Sequence, residues 1–289
     1  QGTATLAADG LSLVRGAQID APTERRLAGI LAEHHLVADA AAVTFVSDAP
    51  SAGPRILLGV AGSGDAADQR ATALNLSRDV FSLESKYDRH LVHVGTTADG
   101  AAEILILGEN TNAVFYGLAS LEQMLDAYPA GSAMPAVTIA DYADQQNRGI
   151  VEGYYGVPYP IDVKKDLMRF MMRYKMNSYM YGAKSDPYHS SYWRDAYPTS
   201  ITETQKNLGY LSQSMVREIA EVSAETKVNF IWAIHPGNSF LGSSTVVSDV
   251  MNKFTMMYQL GVRQFAVFVD DVSIPSTAEQ FALNAQRVT

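Results

Sequence analysis

The sequence predicts an α/β protein: an N-terminal α+β sandwich domain, residues 1–143, precedes about the first four β–α units of a (β/α)8 barrel, residues 144–289. Three observations predict this fold class. The first half mixes short strands and helices in irregular order, and a polar stretch at 139–147 without periodicity separates the halves. In the second half, strands and helices of similar length alternate regularly, which is typical of parallel sheets with right-handed crossovers. Each strand there ends in a polar or glycine-rich loop.

In the first half, two helices are predicted by apolar residues at helical spacing, at 24–36 and 112–125. Short apolar runs bounded by turn residues predict strands at 11–14, 42–46, 55–60, 79–84, 91–94 and 103–108. The glycine-rich stretch at 59–64 lacks both the Lys-Ser/Thr pair of a Walker motif and the Rossmann spacing, so it is interpreted as a flexible loop.

The second half is predicted to contain helices at 162–174, 212–226 and 248–260 between strands near 148–152, 177–181, 228–234 and 262–269. The loops after these strands carry Gly-Tyr-Tyr-Gly, Ala-Lys-Ser-Asp, His-Pro-Gly and Asp-Asp, in that order. If the strands are parallel, all four loops lie on one face, which is the catalytic face of a (β/α)8 barrel.

The adjacent carboxylates Asp270 and Asp271 end an apolar run that predicts a fully buried strand. Two acids at the end of such a strand are expected where ligands bind in α/β proteins. Their repulsion is expected to raise the pKa of one, which could then act as a general acid. A helix cap or turn, or a site for Mg²⁺ or Ca²⁺, would also explain the pair. The convergence of four polar loops favours catalysis over capping.

The composition excludes several classes of function. A net charge of −9 and a pI of about 5.1 argue against nucleic-acid binding. The absence of cysteine excludes disulfides, thiolate catalysis and cysteine metal sites. No apolar run reaches the length of a membrane span. Because the chain starts at Gln1 and not at Met, a processed or partial form is expected.

Five segments in this order resemble glycoside hydrolase family 84: Val-Glu-Gly-Tyr-Tyr-Gly at 151–156, Tyr-Lys-Met-Asn-Ser-Tyr at 174–179, Ala-Lys-Ser-Asp-Pro-Tyr-His at 183–189, Trp-Ala-Ile-His-Pro-Gly at 232–237 and Phe-Val-Asp-Asp at 268–271. The family comprises retaining β-N-acetylglucosaminidases, including O-GlcNAcases and the so-called hyaluronidases of gut bacteria. The resemblance is strongest over residues 100–289, and the first half is also similar to the α+β domain that precedes the barrel in this family.

The resemblance implies substrate-assisted catalysis without a metal ion or other cofactor, in which the 2-acetamido oxygen of the sugar attacks the anomeric carbon and forms an oxazoline. By position in the motif, Asp270 resembles the residue that polarises the acetamide, and Asp271 resembles the general acid/base. Gly153 resembles the glycine whose carbonyl meets a ring hydroxyl, Lys184 the lysine that donates to a sugar hydroxyl, and Tyr155 the aromatic beside the acids. His235 and Trp232 are interpreted either as supporting the site residues from behind or as structural.

The implied partner is a glycan or glycoprotein that carries N-acetylglucosamine, and secretion or a periplasmic or cell-surface location in a bacterium is expected. A complete barrel needs about 250 residues, so further pocket residues are expected beyond Thr289. A non-catalytic carbohydrate-binding or assembly fragment is therefore the alternative. A metal-dependent phosphatase is less favoured, because the sequence has no supporting histidine or phosphate-loop signal. The oligomeric state is left open.

Overall fold

The computed structural model describes residues 2–237, 245–271, 277–279, 282 and 286. The chain forms two compact units, one of Gln1–Gln146 with Arg173–Lys175, and one of Asn147–Met172 with Met176–Thr289. Each unit has its own hydrophobic core. In the part of the chain that the structure describes, no helix has the length and apolar character that crossing a membrane requires.

The first unit is built on a five-stranded mixed sheet with two helical layers. Its strands are β1 Thr3–Thr5, β2 Ser12–Arg15, β3 Arg55–Val60, β4 Tyr87–Thr96, β5 Ala102–Gly108, β6 Ala133–Pro135 and β7 Val137–Ala143, and its helices are α1 Ala21–Glu33, α2 Ala66–Ala73 and α3 Thr111–Ala127. The sheet order is β2-β3-β5-β4-β7, and β1 pairs separately with β6. Buried residues of α1 and α3 pack with one face of the sheet, and those of α2 pack with the other.

Three predictions for this unit are wrong. The stretches at 42–46 and 79–84 are not strands; 3-10 helices occupy Ala40–Ala42 and Asp79–Ser82. Val46 makes only an isolated bridge to Val14, because the loop meets the sheet at one residue. The polar stretch after Pro135 forms β7, whose alternating exposure fits an edge strand with one solvated face.

The stretch at 59–64 is not wholly a loop, because β3 continues to Val60. The remainder leads into α2, whose N-cap is Asp65. The Asp65 carboxylate accepts a hydrogen bond from the amide of Val60 at 3.1 Å. A Cβ atom at Gly59 would lie only 2.3 Å from an oxygen of that carboxylate. This glycine therefore makes room for a helix cap.

The second unit contains four parallel strands in chain order. They are β8 Gly149–Glu152, β9 Ser178–Tyr181, β10 Asn229–Ile234 and β11 Gln264–Val267, and the helices are α4 Ile161–Arg173, α5 Glu203–Asn207, α6 Gln213–Thr226 and α7 Val246–Gln259. The sheet order is β8-β9-β10-β11 and all three pairings are parallel. The predicted α/β alternation of this half is confirmed.

The helices between these strands begin and end where the local sequence indicates. Ser212 caps α6 by accepting a hydrogen bond from the amide of Met215. The same helix ends at Lys227, which adopts a left-handed conformation with φ of 52°. In α4 the buried positions are spaced three or four residues apart, as expected for one helical face: Ile161, Lys164, Met168 and Met171.

The strand before the acidic pair is not fully buried, so that prediction is wrong. Gln264 and Val267 are exposed, and Phe265 and Ala266 are only partly buried. Within the described residues, β11 is the edge of the sheet and pairs only with β10. Among the described residues β11 therefore has a neighbouring strand on one side only, and its apolar residues stay partly exposed.

Candidate active site

The polar loops of the second unit lie together at the C-terminal ends of the strands, because the strands are parallel. The backbone continues strand-like pairing just beyond the strand ends: Gly182 donates to the carbonyl of Glu152 at 2.9 Å, and Lys184 donates to that of Tyr154 at 3.2 Å. Further along the sheet, Phe268 donates to the carbonyl of Ile234 at 2.7 Å. These bonds place the predicted site residues next to one another.

Lys184 lies between the two aspartates. Its Nζ donates to Oδ2 of Asp271 at 2.8 Å and also to Oδ2 of Asp270. Only 7% of the Lys184 side chain is exposed, whereas the two carboxylates are more than half exposed. The ammonium group therefore joins two acids that face solvent.

Tyr155 completes this cluster from the loop after β8. Its hydroxyl donates to Oδ2 of Asp271 at 2.9 Å, and its ring centroid lies 5.3 Å from Nζ of Lys184. The ring itself is 71% exposed. The structure thus brings Tyr155, Lys184, Asp270 and Asp271 together, and their roles toward a substrate stay predictions.

The electrostatics differ from the expectation that one acid has a raised pKa. The hydrogen bond from Lys184 lowers the pKa of Asp270 below its ordinary value. Hydrogen bonds from Lys184 and then from Tyr155 lower the pKa of Asp271 as well. Burial acts to lower the pKa of Lys184, but its bonds to both carboxylates outweigh burial and raise that pKa. The cation thus overrides the repulsion between the acids, and the prediction fails for this state of the site.

Asp271 adopts a left-handed backbone conformation, with φ of 54°. Such values are uncommon for residues other than glycine, although Asp and Asn adopt them more readily than most. Asp271 lies in a turn four residues after the end of β11, where the chain leaves the sheet. An asparagine at this position would therefore keep both the shape and the backbone preference.

His235 contacts the acidic pair from the loop after β10. Its Nε2 lies 2.6 Å from the backbone oxygen of Asp270 and 3.6 Å from Oδ1 of the same residue. Sequence reasoning left His235 as either a supporting or a structural residue and did not predict this particular contact. Its place directly after a parallel strand was the available signal. Burial lowers the pKa of the neighbouring His189 to about 4, so that imidazole is neutral near pH 7.

Two glycines pack against Phe268, the residue that precedes the acidic pair by two positions. A Cβ atom at Gly182 would lie 2.3 Å from the Phe268 ring. At Gly153 the corresponding distance is 3.5 Å, with Val151 at 3.3 Å. Gly153 follows β8 directly and lies beside the site as predicted, and the role of its carbonyl toward a sugar stays a prediction.

Glu152 is a buried acid beneath the loop that carries Gly153 and Tyr155. Its Oε1 accepts from Nζ of Lys164 at 3.0 Å and from the amide of Tyr159 at 2.7 Å, and its Oε2 accepts from the hydroxyl of Tyr179. The Glu152 and Lys164 side chains are both fully buried. No sequence pattern predicts this pair, because Glu152, Lys164 and Tyr179 lie in three different elements, β8, α4 and β9.

The cluster also bears on the alternative of a metal site. Nζ of Lys184 occupies the position between the two carboxylates that a divalent cation would need. In the described ranges, no three or more His, Asp or Glu side chains lie close enough together to hold a metal ion. The arrangement is suited to proton transfer and to hydrogen bonding with a polar ligand.

Comparison with known proteins shows which family this chain resembles. Residues 148–288 match the NAGidase family model, described as beta-N-acetylglucosaminidase. The chain is 31% identical over 170 residues to mouse (Mus musculus) Protein O-GlcNAcase, a match that covers 56% of this chain and 17% of that protein. It is 30% identical to the solved structure of CpGH84D, with a TM-score of 0.78, over 100% of this chain and 46% of that chain.

Residues 148–288 belong to the β-N-acetylglucosaminidase family, and the chain as a whole is similar to members of glycoside hydrolase family 84. Protein O-GlcNAcase of Rattus norvegicus is 32% identical over 125 residues, which cover 43% of this chain and 12% of that protein. The structure of CpGH84B, at 24% identity and a TM-score of 0.72, shares the fold over 99% of this chain and 44% of that chain. The chain thus spans less than half the length of each of these four relatives.

Proposed function

We propose that this chain supplies the catalytic carboxylates of a retaining exo-β-N-acetylglucosaminidase, which removes terminal β-linked N-acetylglucosamine from a glycan or glycoprotein. One observation carries the proposal: Lys184 bridges Asp270 and Asp271 while Tyr155 donates to Asp271. These four residues come from three separate segments that resemble family 84 motifs. They meet at the C-terminal ends of the parallel strands, and a pocket for one sugar ring needs its contact residues grouped in this way.

In the proposed reaction, the acetamide oxygen of the sugar attacks C1 as the bond from C1 to the leaving oxygen breaks. The Asp270 carboxylate accepts the acetamide N–H and stabilises the positive charge that develops there. Asp271 gives its proton to the leaving oxygen, which departs as an alcohol. In the second step Asp271, now a carboxylate, takes a proton from water as the water oxygen bonds to C1 and opens the oxazoline.

The lowered pKa of Asp271 sets a condition on this scheme, because a general acid must hold a proton. Lys184 is the largest cause of the lowering. If Lys184 turns toward a sugar hydroxyl when substrate binds, Asp271 loses its cation and keeps an anionic neighbour in Asp270. Loss of the cation raises the pKa of Asp271, and the remaining negative charge of Asp270 acts in the same direction. The bridge thus describes a resting state that substrate would open.

The proposed architecture is the N-terminal half of a (β/α)8 barrel. The parallel order β8-β9-β10-β11, with helices between the strands, supports it. In such a barrel the remaining pocket residues would follow Thr289 in a longer protein. A secreted or cell-surface bacterial location is proposed from the family resemblance alone.

The experiment is hydrolysis of an aryl β-N-acetylglucosaminide by this chain, by its Asp271→Asn variant and by a chain extended past Thr289. Activity that Asp271→Asn abolishes supports the proposal. Activity in the extended chain alone places the acids here and the rest of the pocket downstream. Binding of an N-acetylglucosamine-derived thiazoline without hydrolysis in either chain favours the carbohydrate-binding alternative.

A further inference from the structure

Asp186 is a fully buried carboxylate two residues after Lys184. Its Oδ2 accepts hydrogen bonds from the hydroxyls of Tyr181 and Tyr197, both at 2.6 Å. Its Oδ1 accepts from the amide of Tyr188 at 2.9 Å. A loop cap would need only the last of these bonds. The two phenols, one at the end of β9 and one from the segment before α5, hold the loop from both sides along the chain.

The network extends further into the core. The indole N–H of Trp232 donates to the hydroxyl of Tyr197 at 3.1 Å. The fully buried Lys253 places Nζ 4.8 Å from the Tyr197 ring centroid and 5.3 Å from that of Trp232. Burial lowers the pKa of Lys253 to about 8, and the charge of Asp186 opposes this effect. Asp186 is thus the acceptor at the centre of a buried set of aromatic and cationic groups.

The backbone between Asp186 and Lys184 is closed into a turn. The amide of Asp186 donates to the carbonyl of Ala183 at 2.9 Å. The hydroxyl of Ser190 lies 3.1 Å from the carbonyl oxygens of both Lys184 and Asp186. Because the turn is closed in this way, a shift of Asp186 moves the Cα atom of Lys184 with it.

We propose that Asp186 is a positioning residue for Lys184: its bonds to Tyr181 and Tyr197 fix the turn at 183–190 so that the ammonium group reaches both catalytic carboxylates. The consequence for catalysis rests on the proposed function, but the placement of Lys184 can be measured without turnover. A displacement of about 1 Å at a positioning group can cost on the order of a hundredfold in rate.

The first test measures the acetylation rate of each lysine by mass spectrometry, using acetic anhydride on the whole chain. In the wild type, Lys184 should react slowly, because it is almost buried and its raised pKa keeps it protonated. Asp186→Asn, which keeps the shape of the side chain, should speed acetylation of Lys184 about tenfold. A hydrogen bond to a charged group contributes free energy that corresponds to a factor of about ten or more. The exposed Lys206 serves as the internal reference.

Glu103→Gln is the matched control. Glu103 is also a buried carboxylate, and it pairs with Arg55 and Arg70 in the first unit. This variant should leave the reactivity of Lys184 unchanged. A folded Asp186→Asn variant in which Lys184 stays as protected as in the wild type would overturn the proposal.

If Asp186→Asn unfolds, which fast acetylation of the buried Lys164 would reveal, Tyr197→Phe decides, because it removes one donor and keeps the ring. Faster acetylation of Lys184 alone supports the proposal, and an unchanged rate refutes it.

Where hydrolysis is measurable, Asp186→Asn should lower kcat/KM tenfold or more in the wild-type background, but should cause no further loss in a Lys184→Met background. Equal losses in both backgrounds would mean that Asp186 acts on stability alone. Should no variant hydrolyse substrate, the proposed function fails while the acetylation result still decides the placement.

Discussion

The ammonium group of Lys184 lies 2.8 Å from Oδ2 of Asp271, the oxygen that also accepts the hydroxyl hydrogen bond of Tyr155. Both donors favour the ionised carboxylate, so the resting site holds Asp271 as a base. In the mechanism proposed above, Asp271 must act as an acid first. The protonation of Asp271 is therefore controlled by what Lys184 contacts.

Replacing Lys184 with Met should raise the pKa values of Asp270 and Asp271, because Lys184 is the largest cause of lowering for each. In the wild type, the stabilisation from these lowered values is present above the unfolded-state pKa and is lost as the pH falls through the folded-state pKa. The variant should lose this acid-side dependence. Carboxyl NMR titration measures both shifts. Lys206→Met, at an exposed lysine of α5, should change neither, and unchanged titrations in Lys184→Met would contradict the assignment.

Replacing Tyr155 with Phe should raise the pKa of Asp271 and move the limb of the pH–rate profile that Asp271 controls to higher pH, because one hydrogen bond to the ionised carboxylate is removed. The midpoint of thermal unfolding should not change, since the Tyr155 ring is mostly exposed. Steady-state kinetics and calorimetry measure these effects. Tyr192→Phe, at another exposed tyrosine, is the control and should alter neither quantity. A large loss of stability in Tyr155→Phe would show that the ring has a structural role instead.

Replacing Asp271 with Asn should slow hydrolysis by about 10²- to 10⁴-fold for substrates with poor leaving groups, because proton transfer to the leaving oxygen is lost. The loss should be smaller for aryl substrates, whose leaving groups depart without a proton. Since Asn also tolerates the left-handed backbone at this position, the fold should be kept. The measurement is kcat/KM across a series of leaving groups. Equal losses across the series would remove Asp271 from the role of acid.

Removing one partner of the Glu152–Lys164 pair should destabilise the protein by about 3–5 kcal/mol, because an unpaired charge is left in the core. The variants are Glu152→Gln and Lys164→Met, and urea unfolding gives the free energies. The double variant should lose less than the two single losses added together. Single variants with wild-type stability would mean that water reaches this pair.

Replacing Gly182 with Ala should reduce both stability and activity, because the added Cβ would overlap the Phe268 ring two residues before Asp270. Overpacking of this kind typically costs about 1–3 kcal/mol. Gly29→Ala is the control, since no atom lies within 4 Å of its Cβ position and its helix should gain about 0.5–1 kcal/mol. Urea unfolding and hydrolysis assays measure both variants. Retention of full activity in Gly182→Ala would show that Phe268 moves without disturbing the acids.

Much of the second unit could be predicted because its signals are local. The alternation of apolar runs and helical periods predicts β8 to β11 and the helices α4, α6 and α7 within a few residues, whereas the short helix α5 was not predicted. Because the strands are parallel, the loops that follow them lie at the same end of the sheet, and this brings Tyr155 and Lys184 close to Asp270 and Asp271. Neither step requires knowledge of contacts between distant residues.

The remainder depends on contacts that the sequence does not encode locally. Lys184 precedes Asp270 by 86 positions, so the direction of the pKa shifts follows only from the folded geometry. The roles of Glu152 and Asp186 likewise depend on partners from several elements. In the first unit, the stretch at 79–84 has strand-like composition, but tertiary contacts select a 3-10 helix.

The sheet order β8-β9-β10-β11 also has a consequence for synthesis on the ribosome. Each strand pairs with the one translated just before it, so this sheet can assemble one strand at a time as the chain emerges. Lys184 emerges 86 positions ahead of Asp270, and its ammonium group has neither carboxylate as a partner until β11 adds to the edge. The ion pairs between Lys184 and the two aspartates therefore form only after β11 has joined the sheet. Before β11 joins, a nascent chain cannot bind a ligand that needs both acids.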